Sequence, residues 1–141
     1  MSNPIENIGI IRESRPDENR TPLVPDHIQK IKSKYPNLNI LVQPSKNRCF
    51  TNDEFESKGA EINEDLSNCS IIFGVKEIDT SVLMNNKTYV FFSHTYKLNK
   101  ETLNNAQGTP GMDKKKLLKS VLQKKIKLID YENIRDKNSS R

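Results

Sequence analysis

Two short apolar runs constrain this chain more than anything else in it: Ser70-Ile-Ile-Phe-Gly-Val-Lys-Glu77 and Thr88-Tyr-Val-Phe-Phe-Ser-His-Thr95. Each has the length and the β-branched or aromatic make-up of a buried strand, and each releases a titratable side chain, Lys76 or His94, where the apolar part stops. In an open parallel sheet, ligands bind in the crevice beyond the carboxyl ends of the strands. The two runs therefore aim a lysine and a histidine at one edge.

Other runs supply the rest of a sheet. Ile8–Arg12 reads as a first strand leading into a charged loop through Arg20; Pro25 opens a helix with Ile28, Ile31 and Tyr35 on one face, and Pro36 closes it. Asn39–Gln43 is a second strand. Asn52 or Asp53 could cap a short helix ended by Gly59, and Ala60-Glu-Ile62 is a short third strand. Residues 99–112 are polar, with two glycines and a proline near their end, and read as a long loop. Asp113 then caps a helix with Leu117, Leu118, Val121 and Leu122 inward and Lys114, Lys115, Lys119 and Lys124 outward. Ile126–Asp130 is a last strand. Strands alternating with helical segments predict a doubly wound α/β fold, Rossmann-like or flavodoxin-like, with a mostly parallel sheet and helices on both faces. No strand is followed by G-x-G-x-x-G, so the dinucleotide fingerprint is lacking. Residues 1–135 form one domain, and 136–141 read as a tail or linker.

Composition narrows the function classes. Of the 141 residues 33% are hydrophobic and 29% charged, enough for one modest core. No apolar run approaches the roughly 20 residues of a membrane span, and the N-terminus lacks a basic-then-apolar leader, so a soluble, cytoplasmic protein is expected. Residues 1–96 carry 11 Lys/Arg against 13 Asp/Glu, and residues 97–141 carry 12 against 5. That basic end lacks the aromatics and motifs of nucleic-acid binding, which is not expected. Two cysteines, Cys49 and Cys69, have no metal-ligand spacing, and no metal site is expected.

The chemistry-bearing residues gather at the strand ends. Lys76 could act as a general base if its charged form is destabilised by apolar surroundings, or it could extend to solvent beside Glu77. His94 could exchange protons near neutral pH, or be a partly buried histidine satisfied by a carbonyl. Arg20 could clamp a carboxylate bidentately, or pair with Asp17 or Glu18. Arg12, Arg15 and Lys97 are weaker candidates, and Asp130, Tyr131 and Glu132 reach the same edge. His27 reads as a surface or boundary residue.

Five blocks in order then carry a family resemblance: Ile8-Gly-Ile-Ile-Arg-Glu13 with Glu18-Asn-Arg-Thr-Pro-Leu-Val-Pro25, Gly74-Val-Lys-Glu77, Phe91-Phe-Ser-His-Thr-Tyr-Lys97 and Leu128-Ile-Asp-Tyr-Glu132. Together they resemble the N-terminal domain of the alanine dehydrogenase, pyridine nucleotide transhydrogenase and saccharopine dehydrogenase superfamily. The F-F-S-H-T and L-I-D-Y-E blocks are most similar to lysine-forming saccharopine dehydrogenase, also called lysine–ketoglutarate reductase. The resemblance implies an oxidoreductase half that binds an amino-acid or oxo-acid substrate (lysine, 2-oxoglutarate, saccharopine). NAD or NADP would be held mainly by a separate Rossmann domain, in cis or in trans. It further implies that Lys76 and His94 are the acid–base pair, that Arg20 binds a substrate carboxylate, and that Glu77 and Lys97 line the cleft. The 141 residues are expected to end before the nucleotide-binding domain, and so to lack turnover by themselves. An alanine dehydrogenase or transhydrogenase type of domain, and a non-catalytic ligand or interaction module, remain open alternatives.

Overall fold

The structure, a computed structural model, describes residues 6–95 and 110–138, with side chains described from Lys114 onward in the second span. Among these residues, six strands form one sheet: β1 (Glu6–Ile10), β2 (Leu38–Val42), β3 (Glu61–Ile62), β4 (Ile71–Phe73), β5 (Thr88–Phe91) and β6 (Lys127–Asp130). The order across the sheet is β3-β2-β1-β4-β5-β6, and every neighbouring pair is parallel. This is the expected Rossmann-like α/β architecture. The chain winds outward from β1 to β3, then returns to the other side of β1, so the direction of winding reverses between β1 and β4.

Among the described residues three helices cover the sheet: α1 (Pro25–Lys34), α2 (Asn52–Ser57) and α3 (Pro110–Gln123). Alternation along each strand sends side chains to opposite faces, which produces two cores. Ile8, Ile10, Ile40 and Val42 pack with Ile28 of α1 and Phe55 of α2. Leu41, Ile72, Tyr89 and Phe91 pack on the other face with Leu117 and Val121 of α3. Strand β1 runs between the two cores with a glycine at its fourth position because the chain comes close there. A Cβ on Gly9 would stand 3.2 Å from both the Cys69 sulfur and Leu66.

Several local expectations are corrected. Helix α2 is capped by Thr51, whose hydroxyl accepts from the Glu54 N–H while the Glu54 carboxylate accepts from the Thr51 N–H. That reciprocal pair outcompetes Asn52 or Asp53 as the cap. Tyr35 lies at the C-cap of α1 and is 53% exposed, so it leaves the apolar face that Ile28 defines. Helix α3 begins at Pro110, which puts Asp113 inside the first turn and shortens the expected loop. Its buried stripe is the i, i+4 pair Leu117 and Val121, while Leu118 and Leu122 turn outward. Lys124 turns inward, donating to the carbonyls of Thr80 (3.1 Å) and Leu83 (2.7 Å) and so tying α3 to the 3-10 turn Thr80–Val82. That turn is the only helical piece in the described β4–β5 crossover.

Gly59 ends the α2 segment with φ +101°, a conformation L side chains rarely adopt, and an added Cβ would meet Lys32 at 3.0 Å. Gly59→Ala should therefore destabilise the chain by about 1 kcal/mol or more, read as a lower urea midpoint at unchanged slope.

Candidate functional site

The site is built where β1, β4, β5 and β6 end. Sheet pairing continues past the strand ends, from the Ile11 N–H to the Phe73 carbonyl and from the Phe92 N–H to the Val75 carbonyl, both at 3.0 Å. Lys76 and His94 thus leave adjacent strands within two residues of one shared hydrogen bond. Both are half-buried.

Glu13, which the sequence reading left unassigned, organises the reversal point. Its carboxylate accepts from the Lys76 N–H at 2.6 Å and from the Val75 N–H at 3.2 Å, crossing from the end of β1 to the end of β4. Gly74 permits the approach, since a Cβ there would lie 3.4 Å from the same carboxylate and 3.2 Å from Ile11. Burial pushes the Glu13 carboxyl above its ordinary range, while the N–H groups of Lys76 and Val75 hold it back. Only spatial adjacency could reveal this residue, because in sequence it is one acid in a charged loop.

Arg20 makes the bidentate carboxylate contact that its residue type suggested, but with a carboxylate of its own loop. Nε and one terminal nitrogen each lie 2.7 Å from an oxygen of Glu18. Glu18 is 8% exposed and Arg20 is 66% exposed on its side chain, so the pair presents a guanidinium outward on an anchored acid. The Arg20 hydrogen bond holds the Glu18 carboxyl down to about 2, with the charge of Lys76 contributing. A depressed acid stabilises the fold above its unfolded value of 4.5, and that contribution disappears as pH falls through about 2. With so exposed a partner the amount is under about 1 kcal/mol. Comparing urea midpoints of the wild type and Glu18→Gln from pH 5 downward should show the two curves converging.

Arg15 pairs with Asp17 at 2.8 Å and Arg12 with Glu64 at 2.5 Å. Glu77 is half-buried beside Lys76 and lines a hollow of about 550 Å³ with Arg15, Asp79, Lys114 and Lys116. Lys97 lies outside the described residues. His27 is exposed, and its Nδ1 accepts from the Val24 N–H at the start of α1.

On the far side, Asp130 closes β6 and Tyr131–Asn133 form a 3-10 turn. The imidazole Nδ1 of His94 lies 2.9 Å from Glu132 Oε1. The ring N–H is not aligned along this contact, so it is an ion-pair contact on protonation rather than a directed hydrogen bond. Phe92 stacks on His94 with centroids 6.4 Å apart and meets Tyr131 at 4.8 Å. Burial, with the negative charge of Glu13, pushes the Tyr131 phenol up to about 12, so it remains a hydrogen-bond donor at neutral pH.

In the Rossmann strand order a pyrophosphate approaches the turn after β1, yet here that turn is a long charged loop whose Glu13 carboxylate occupies the reversal point. Among the described residues no cluster of three or more His, Cys, Asp or Glu could hold a metal, and no helix is long and apolar enough to cross a membrane.

A six-stranded parallel α/β sheet whose first strand leads into a charged loop, with no glycine-rich phosphate turn, defines the class as a Rossmann-like domain without the dinucleotide fingerprint. The chain belongs to the alanine dehydrogenase/PNT N-terminal domain family, whose model matches residues 9–141. It is 37% identical over 124 residues to the mitochondrial alpha-aminoadipic semialdehyde synthase of Mus musculus, covering 88% of this chain and 12% of that protein. It is also 35% identical over 132 residues to alpha-aminoadipic semialdehyde synthase of Arabidopsis thaliana, covering 90% and 11%. The chain therefore spans about an eighth of these relatives. Its fold matches a solved L-alanine dehydrogenase with TM-score 0.71 at 14% identity, over 95% of this chain and 34% of that one. A transhydrogenase from Sinorhizobium meliloti matches with TM-score 0.67 at 16% identity, over 90% and 35%.

Proposed function

We propose that this chain is the substrate-binding and acid–base half of an NAD(P)-dependent amino-acid oxidoreductase of the saccharopine dehydrogenase, or lysine–ketoglutarate reductase, type. The reaction would be the reversible reductive condensation of lysine with 2-oxoglutarate. The observation that carries this reading is the exit of Lys76 and His94 from adjacent parallel strands, around the one hydrogen bond that joins Phe92 to Val75. The similarity to alpha-aminoadipic semialdehyde synthases supports the substrate class.

In this reading Lys76 and His94 move the protons on the secondary amine and on the water that attacks the imine. A lysine and a histidine on neighbouring strands can serve two proton positions on one substrate. Arg20 receives a substrate carboxylate on its outward side, with Glu18 fixing the plane of the guanidinium. Glu77 and Lys97 line the cleft. The nicotinamide, NAD or NADP, is held by a Rossmann domain outside these residues, in cis or in trans, and supplies the redox chemistry.

Fusing the chain to the nucleotide-binding half of a related enzyme tests the proposal. NAD(P)H oxidation that needs both lysine and 2-oxoglutarate is expected. Oxidation that needs pyruvate and ammonia instead would overturn the substrate class in favour of the alanine dehydrogenase type. A fusion that binds nucleotide yet oxidises it with neither pair would overturn the enzymatic reading.

A further inference from the structure

Resting on that reading, the geometry points to Asp130 as the positioning residue that assembles His94 and Glu132 into one acid–base unit. His94 sits at φ +55°, in the left-handed region that a residue with a Cβ seldom occupies without being held there. Asp130 holds it. The carboxylate is 6% exposed, and its Oδ2 accepts from the His94 N–H (3.1 Å), the Ser93 N–H (3.2 Å) and the Ser93 hydroxyl (2.5 Å). Ser93 is fully buried and passes the link on to Thr95, whose hydroxyl lies 3.0 Å from its own.

The other oxygen has a different task. Oδ1 accepts from the Glu132 N–H at 3.0 Å and so sets the 3-10 turn that carries Glu132 to 2.9 Å from the imidazole. The same turn places Tyr131 on Phe92, which in turn stacks on His94. A turn cap needs only the Oδ1 contact. The three contacts at Oδ2 are additional, and they join the backbone of the loop after β5 to the end of β6. One carboxylate thus registers the imidazole and its acidic neighbour to each other through four hydrogen bonds, two of them fully buried.

The test uses Asp130→Asn and the charge-conserving Asp130→Glu. Asparagine keeps one acceptor and turns a donor toward either the Ser93–His94 amides or the Glu132 amide. Glutamate moves the carboxylate outward by one methylene and cannot serve both sets. In ¹⁵N-labelled chain, both variants should lose the left-handed His94 signature in the HN–Hα coupling and the backbone shifts. The His94 ring signals should move while those of His27 stay fixed. In the fusion described above, kcat should fall by about 10²-fold with KM little changed, the scale expected when a catalytic group is displaced by about 1 Å. Ser93→Ala, which keeps Asp130 and removes one contact, should show a smaller change of the same kind if the larger substitutions prevent folding. A folded Asp130→Glu with the wild-type His94 coupling and kcat would overturn the inference. The spectra need no turnover, so a fusion without lysine-dependent activity would sink the proposed function and leave this assignment to the coupling measurement.

Discussion

Lys76→Met and His94→Gln should each lower kcat of the fused enzyme by about 10² to 10⁴-fold, the usual contribution of a positioned acid or base. Neither substitution should disturb folding. Both substitutions keep the backbone amides that Glu13 and Asp130 receive, and they remove only a half-buried ammonium and an imidazole that meets Phe92 and Glu132. Loss of rate in one variant with full rate in the other would leave a single proton carrier. Full rate in both, measured on folded protein, would remove the acid–base assignment. The two variants should also be non-additive, because groups that share one substrate act as a unit.

The largest effect on stability is expected from Phe55→Ala. Phe55 is fully buried in the core between α1, α2 and the first three strands, with Phe50 against its edge at 6.4 Å and the Arg48 guanidinium 4.6 Å above its ring. Arg48 uses all three nitrogens on the carbonyls of Gln43 and Phe50 and on Asn52 Oδ1, and so holds the loop between β2 and α2. Burial already lowers the pKa of this guanidinium. Removing the ring should cost about 3–5 kcal/mol, a large part of the 5–15 kcal/mol typical of a domain. The exposed Leu122→Ala should stay within about 0.5 kcal/mol, and urea unfolding of the two variants gives the comparison.

How legible these features were in the sequence follows from which forces are local. Strand ends were readable because apolar runs and turn residues act over a few positions, and the parallel sheet followed from the spacing between runs. The Thr51 cap was written in the sequence as Thr51 followed by Glu54, but Asn52 and Asp53 are themselves good caps, and the reciprocal bond decides among them. Leu118 and Leu122 are as apolar as Leu117 and Val121, and only packing against the folded core separates buried from exposed. Arg20 was readable as a bidentate arginine, though nothing in the sequence chose between Glu18, Asp17 and a ligand. Glu13 and the Oδ2 contacts of Asp130 were not readable, since each joins segments 36 to 63 positions apart in the chain. The two expectations involving Lys97 and most of residues 99–112 fall outside the described residues.

The most direct measurement is a saccharopine titration of the labelled chain, followed at its two histidines. Half-burial of His94 among Phe92, Tyr131 and Glu132 makes its ring a reporter of the crevice, and exposed His27 on α1 is the internal control. The account predicts saturable movement of the His94 ring signals with His27 unchanged, and loss of that response in Arg20→Ala. His94 signals that stay in place up to millimolar saccharopine, in a chain that remains folded, would contradict it.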